Sequence, residues 1–481
     1  MSAPVAVAGE PAPGLAGDGR ELIDPATGRC FGRLPDTSAE DCARVVRAAD
    51  LAFAGWGGAA PRERCEALLA LADAMAVRRA DFVELERRCA GKPVARIGGE
   101  VDFAVRALRW FAHQALRPAG EVLPASPGSR AWTDRLPLGV VVAVCPNNYP
   151  LLMAVWKAAA ALAFGNTVVA KPAPETPLSV RLLVELAAEA LPPGVLSAVY
   201  GGAEVGRLLC ELPEVAAVSF TGSTAAGREI AARCATGLKR VSLELGGKNP
   251  LVVFPDADLD AAADALVEAF TGNTGQVCVG ASRLLVHRDV HGDFVREVAA
   301  RADALRLGPT DDPATQLGPL ISRRAVERVT SAVAEARDAG AAVVGSGLAE
   351  LPGDGFYVRP VVLDAVPGAA RAWREELFGP VLAVRSFADE EEAVRLAADT
   401  DYGLSASVWT ADADRIERLG RRLRTGILWF NTWGDTDESV SVGGIGQSGY
   451  GRELGVHAIE QYTHGRAVWI AHRERDRDLR P

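Results

Sequence analysis

The chain is 481 residues long, 49% hydrophobic and 24% charged, with a formal net charge of −10 at pH 7. Those are the proportions of a water-soluble globular protein with core enough for two or three domains. The acidic balance argues against nucleic acid or an anionic membrane as partner, since both need a basic face. No apolar run reaches the ~20 residues of a membrane span, because Lys157 and Asn166 interrupt the best stretch.

Residues 1–20 carry no positive charge before Arg20, and Pro and Gly break their apolar stretch. They are expected to form a disordered lead-in rather than a signal peptide. Residues 37–116 read as helices. Thr37 with Glu40 fits a capping box, Pro61 suits a first helical turn, and Gly91-Lys92-Pro93 closes the second helix. Arg130–Arg135 reads as a short β element that, with the stretch around Gln461–Ile470, is suited to subunit pairing.

From 138 onward short apolar strands alternate with helices: Val140–Val144, Thr167–Ala170, Leu196–Tyr200, Ala216–Phe220 and Val241–Leu243. A second run follows in Leu251–Phe254, Arg283–His287, Val361–Leu363, Val381–Phe387, Ser405–Trp409 and Ile427–Phe430. Alternation of this kind predicts parallel sheets with crossover helices, the class to which nucleotide-binding domains belong. The tail after His472 reads as a mixed-charge, solvated end.

The eight cysteines form no C-x-x-C pair, and no His cluster has zinc spacing. Free thiols in a reducing cytoplasm and no structural metal are therefore expected. Asp256-Ala-Asp258-Leu-Asp260 begins like a calcium loop, but Ala261 and Val267 stand where Gly and a bidentate Glu are required. These acids belong at a helix start, where carboxylates cap free N–H groups.

Three short stretches carry chemistry. Cys278 lies in Phe270-Thr-Gly-Asn-Thr-Gly-Gln-Val-Cys278, just past a predicted helix. A lone Cys is usually core packing, but Gly275 and Gly280 suit a turn that brings the thiol to a ligand. Glu244, in Leu243-Glu-Leu-Gly-Gly-Lys248, ends an apolar strand. It is either a strand-edge partner of Lys248 or a poorly solvated carboxylate able to act as a general base on water. Asn148, in Pro146-Asn-Asn-Tyr-Pro150, follows the strand Val140–Val144. Its amide is placed either in a plain turn or where a donor could meet a developing oxyanion.

Seven motifs stand in one order: PNNYP at 146, KPAPETP at 171, FTGSTAAG at 220, LELGGK at 243, GQVC at 275, EELFGP at 375 and GGIGQSGYGRELG at 443. With them the chain resembles the aldehyde dehydrogenase superfamily over roughly residues 20–470. The resemblance implies an α/β fold with a Rossmann-type cofactor domain in 21–128 and 147–246 and an α/β catalytic domain in 247–455. A small β bridging element would comprise 129–146 and 456–481. It also implies that Cys278 attacks an aldehyde, that Asn148 and the Cys278 backbone N–H hold the oxyanion, and that Glu244 activates water to release the acid.

NAD is the implied cofactor, with Lys171 on the adenosine ribose, Gly222 and Ser223 near the dinucleotide, Glu376 on the nicotinamide ribose and Phe378 against the ring. NADP stays open. Pro174 stands where NAD-preferring members often have Glu, Glu175 follows it, and Asn147 replaces a common Trp. The sequence Gly444-Ile-Gly-Gln-Ser-Gly449 spells G-x-G-x-x-G but lacks a strand–turn–helix context, so it is not taken as the phosphate loop.

Tyr149, Trp156 and Trp433 align with substrate-tunnel positions, and Val277 and Val279 keep the tunnel apolar. Aromatics of this kind, with Glu100 and Asp102 adding negative charge near the mouth, resemble the betaine aldehyde and aminoaldehyde enzymes. Ser441 and Ile445 depart from that pattern, and an aromatic or aliphatic aldehyde or a semialdehyde is the alternative. The expected partners are a small-molecule aldehyde and further copies of the chain, as homodimer or homotetramer. A non-catalytic dinucleotide-binding protein is the alternative of another class.

Overall fold

The computed structural model describes residues 5–7, 19–117, 120–126, 128–347 and 353–471. The rest of the expected lead-in and the charged tail after 471 lie outside the described residues.

Val140–Val144 is a run of small apolar side chains buried along its whole length. Such a run is stable only with both faces covered, and it lies inside a sheet, parallel to Thr167–Lys171 and Val215–Gly222. The six-stranded order is Val5–Val7, Leu196–Val199, Thr167–Lys171, Val140–Val144, Val215–Gly222 and Arg240–Leu245. Only Val5–Val7 runs antiparallel. Two expectations are corrected here. Residues 5–7 of the lead-in add an edge strand, and Val140–Val144 belongs to this sheet, although 129–146 had been grouped with the bridge.

The seven-stranded sheet runs Ala342–Val344, Val361–Asp364, Val381–Phe387, Ala281–His287, Asn249–Val253, Ser405–Trp409 and Ile427–Phe430. All its neighbours are parallel except Ala342–Val344. A third sheet pairs Thr463–Ala471 antiparallel with Ser129–Pro137 over their full length, with Val122–Leu123 on the far side. The two stretches singled out for subunit pairing thus first pair with each other.

The helices 39–56, 61–77, 79–90 and 94–114 fill the region read as helical. The first cap is Ser38, whose hydroxyl accepts from the Asp41 N–H, not Thr37, whose hydroxyl accepts from the Tyr200 N–H. Pro61 opens its helix as expected. Gly91 closes the third helix rather than the second, in a left-handed conformation with φ 71°. Arg78, at φ −93° and ψ 20°, breaks the run that the sequence reads as one helix. Asp258 caps the helix Leu259–Thr271, the bland reading of the acidic cluster.

Chain order now puts the chemistry in one place. Lys171 and Gly222 are the last residues of their strands, and Glu244 is next to last in its own. Asn249 opens a strand of the second sheet, and Cys278 stands three residues before another, Ala281–His287. The carboxyl edge of the first sheet therefore faces the amino edge of the second, the edge where open α/β sheets bind ligands.

Arg283 pins this junction. Its fully buried guanidinium donates to the carbonyls of Lys248 at 2.8 Å, Leu396 at 3.0 Å and Ala397 at 2.8 Å. Replacing it by Met leaves those carbonyls buried without donors. Arg283→Met is expected to cost about 3–5 kcal/mol, read as a lowered urea midpoint; an unchanged midpoint would mean that the carbonyls find other donors.

Candidate active site

The turn that carries Cys278 is built from unusual backbone. After the helix Leu259–Thr271, Asn273, Thr274 and Gly275 all have positive φ, at 44°, 56° and 72°. Side-chain bonds hold this left-handed turn. Thr274 Oγ1 donates to the Gly318 carbonyl, and Asn273 Nδ2 donates to the Asn148 carbonyl. Gln276 Oε1 accepts from the Ile321 N–H. A Cβ on Gly275 would lie 2.2 Å from the Gly379 backbone, so the position needs glycine twice over. Below the thiol, Asn249 Nδ2 donates to the carbonyls of Cys278 at 2.7 Å and Gly280 at 3.0 Å.

Every residue marked above as catalytic, cofactor-binding or substrate-lining opens on one cavity of about 1070 Å³. Asn148 is buried and spends one N–H on the Gln276 carbonyl at 2.9 Å, which leaves the second N–H of its amide to offer. Cys278 is pushed up to about 12, first by burial and then by the charges of Glu376 and Glu244, so the resting group is a thiol.

Glu244 makes no ion pair with Lys248 among the described residues, and its Oε1 has no hydrogen-bond donor. Burial, with the nearby charge of Glu453, holds its carboxyl well above the usual range. The covering is glycine: a Cβ on Gly443 or Gly451 would stand 2.7 Å or 2.9 Å from Glu244 Oε1. These two glycines flank the G-x-G-x-x-G stretch, whose own Gly449 packs against the Leu243 carbonyl of the same strand. Lys248 faces Glu376 instead, and burial brings its ammonium down to about 7.

Glu376, Phe378, Lys171, Gly222 and Ser223 line the cavity. Glu376 accepts from the Gly247 N–H, and Phe378 is held at φ 51°. Lys171 is a buried ammonium whose hydrogen bond goes to the Pro172 carbonyl. Ser223 caps the helix Thr224–Thr236, so that helix's positive end opens on the cavity.

Tyr149, Trp156, Trp433, Val277 and Val279 line it as well. The Trp156 and Phe103 rings meet edge to face at 5.6 Å, and Trp433 lies 6.2 Å from Trp429.

A model of the aldehyde dehydrogenase family matches residues 16–468. The chain belongs to the aldehyde dehydrogenase family. It is 41% identical over 452 residues to the non-phosphorylating aspartate-semialdehyde dehydrogenase of Halomonas elongata, covering 93% of this chain and 92% of that one. It is 40% identical to the 2-hydroxymuconic semialdehyde dehydrogenase of Pseudomonas sp. CF600, covering 94% and 95%. The P. syringae indole-3-acetaldehyde dehydrogenase AldA, solved as a mutant with NAD+ and IAA, superposes with a TM-score of 0.94 at 35% identity, covering 98% and 97%.

In this aldehyde dehydrogenase the sequence reading missed several residues in the cavity or next to it. Lys157 is fully buried, pairs with the buried Glu453, and donates to Thr221 Oγ1 at 2.8 Å. Its signal was present as the single charge in the apolar helix Pro150–Ala163. Phe103, Trp429 and Lys92 also went unread. Asp102, expected near the tunnel mouth, instead pairs with Arg79 through Nε at 2.7 Å on the surface; Glu100 does reach the cavity. Among the described residues no group of three or more His, Cys, Asp or Glu could hold a metal, and no helix is long and apolar enough to cross a membrane.

A thiol raised this far gains thiolate steadily as pH rises. Alkylation of Cys278 by iodoacetamide should accelerate about tenfold per pH unit from 7 to 9, followed by mass spectrometry with Cys278→Ala as blank. A plateau beginning below pH 8 would contradict this environment.

Proposed function

We propose that the protein catalyses the NAD-dependent, non-acylating oxidation of an aldehyde to its carboxylic acid. One observation carries the reading: Cys278 stands in a single cavity with a buried amide donor, a buried carboxylate with one orphaned oxygen, and all the residues expected to meet cofactor and substrate. The Cys278 thiol gives its proton to the Glu244 carboxylate, which passes it on to solvent, and Sγ bonds to the aldehyde carbon, with the oxyanion held by Asn148 Nδ2 and the Cys278 N–H. NAD, when bound, accepts the hydride lost from that carbon, and a thioester on Cys278 remains. Glu244 then takes a proton from water, the water oxygen bonds to the thioester carbon, and the Cys278 sulfur leaves with the acid released.

The residues present fit a dinucleotide. The free helix end at Ser223 and the buried Lys171 suit its phosphates and ribose, while Glu376 and Phe378 suit the nicotinamide riboside. Glu175, one residue later than the usual place, opens on the same cavity and acts on the Lys171 ammonium. Its charge disfavours a 2′-phosphate and supports NAD over NADP.

For the aldehyde, the aromatic wall favours the second reading over a quaternary ammonium. Lys92 Nζ already lies 4.4 Å from the centre of the Tyr149 ring, and the Arg106 guanidinium lies 5.0 Å from that of Phe103. Rings already holding protein cations are poor walls for another. An aryl, aliphatic or semialdehyde substrate fits better, and the names of the semialdehyde relatives agree.

The free edge of Thr463–Ala471, with Trp469 64% exposed, supports assembly into a homodimer or homotetramer. All eight cysteines are free thiols, in keeping with the cytoplasm.

Glu244→Gln should stall the enzyme with an acyl group on Cys278, visible as a mass increase after mixing with aldehyde and NAD. Full turnover without the adduct would overturn the mechanism. Wild-type kcat/KM should be at least about tenfold higher for phenylacetaldehyde than for betaine aldehyde, read by absorbance of the reduced cofactor; the reverse order would restore the cationic substrate.

A further inference from the structure

The helix Val94–Gln114 turns Arg96, Gly99, Glu100 and Phe103 toward the cavity, a spacing of three, four and seven residues that forms one stripe. Three of these have plain roles. Phe103 packs on Trp156, Arg96 is held by both oxygens of Glu268 at 2.9 Å and 2.8 Å, and Gly99 leaves open space where a side chain would be. Glu100 does not fit so simply.

Its Oε2 accepts from Lys92 Nζ, but that ammonium already pairs with Glu86 at 3.4 Å. Glu86 is needed elsewhere, because its Oε1 accepts the Leu151 N–H and so caps the helix that follows Asn148 and Tyr149. One buried lysine thus faces two carboxylates. Lys92 is shared between them, and burial, with the Glu86 charge beside it, pushes the Glu100 carboxyl up to about 7 even with Lys92 at 2.5 Å, so Glu100 is an acid held in place at a cost. Its side chain stays 20% exposed, and Oε1 has no protein donor among the described residues. Beside it, the Tyr149 ring rests on Lys92 and its hydroxyl feels both the Glu100 carboxylate and the Cys278 thiol. A polar track therefore runs along an otherwise aromatic wall toward the nucleophile.

We propose that Glu100 is a specificity residue: its free oxygen accepts a hydrogen bond from a donor, O–H or N–H, borne on the body of the aldehyde. Lys92 aims the carboxylate and limits its charge. The substrate class is then an aldehyde with an apolar or aryl body and a hydrogen-bond donor, in preference to a pure hydrocarbon aldehyde. This rests on the oxidation assigned under Proposed function and narrows it.

The test compares three arylacetaldehydes with the full-length enzyme and NAD: 4-hydroxyphenyl-, 4-methoxyphenyl- and phenylacetaldehyde, with 3-aminopropanal as the ammonium arm. The methoxy compound matches the hydroxy one in shape but cannot donate. Wild type should favour hydroxy over methoxy in kcat/KM by about tenfold, the worth of one charge-assisted hydrogen bond.

Glu100→Val should collapse that ratio toward one, chiefly by raising KM for the hydroxy compound, while Glu100→Gln, which keeps an acceptor oxygen, restores part of it. A preference for 3-aminopropanal lost in the same way would assign the donor to an ammonium; loss confined to the hydroxy compound would assign it to a hydroxyl. Equal losses for hydroxy and methoxy compounds, falling on kcat, would mean that Glu100 is merely structural and would overturn the proposal. Absence of oxidation of phenylacetaldehyde and the others by wild type would overturn both this inference and the function it rests on.

Discussion

The chemistry of this protein depends on a backbone approach too close for side chains. Residues 443–451 lie against the strand Arg240–Leu245 so tightly that the Gly449 position has 2.1 Å between a hypothetical Cβ and the Leu243 carbonyl. The contact is bonded as well as packed. Gly451 N–H donates to the Leu243 carbonyl at 2.9 Å, the Leu245 N–H to the Ser448 carbonyl at 3.0 Å, and Ser448 Oγ to the Gly246 carbonyl at 2.7 Å. Glycine backbone, rather than polar side chains, thereby covers Glu244 and strips it of water, with the Gly444 backbone as donor to its carboxyl and Oε1 left without one. An ionised carboxylate in such a place is strongly basic toward any proton brought to it.

The chain just beyond brings Glu453 to Lys157, so one stretch both covers Glu244 and sets beside it the like charge that holds its carboxyl up further. Two buried acids and one buried cation then share a small region. Cys278 feels this from the other side. Burial first, and then the negative charges of Glu376 and Glu244, keep its thiol protonated at rest above a left-handed turn held by side-chain bonds.

Much of the fold was legible because its strands are buried on both faces. Val140–Val144, Val381–Phe387, Ser405–Trp409 and Ile427–Phe430 read directly as apolar runs between helical patterns. The misses share a cause: local signals with more than one tertiary use. Thr37 has the chemistry of a cap but is drawn off to Tyr200, and Ser38 takes its place. Arg78 breaks a helix without Gly or Pro, so no punctuation marks it. Gly449 and Gly451 read as loop residues because their reason lies some 200 positions earlier, in Leu243 and Ser242. Cys278, Glu244 and Asn148 stood out through the order of motifs; the geometry adds what order could not, the orphaned Glu244 oxygen and the buried Lys157–Glu453 pair. Charges on one helix could not be sorted by spacing alone, which is why Asp102 and Glu100 looked equivalent although one faces solvent and the other the cavity.

The pairing of Thr463–Ala471 with Ser129–Pro137 has a consequence for how the molecule comes into being. The strand that completes the third sheet, the tyrosine hydroxyl that bonds Ser219 from Tyr462, and the carboxylate that pairs with Lys157 all come from chain made after both large sheets. Lys157 and Glu453 are separated by 296 residues, a loop whose closure is entropically costly and slow. Without residues 443–471 the first sheet carries an uncompensated Lys157 ammonium and an uncovered Glu244, so the cavity is complete only once that returning stretch has docked.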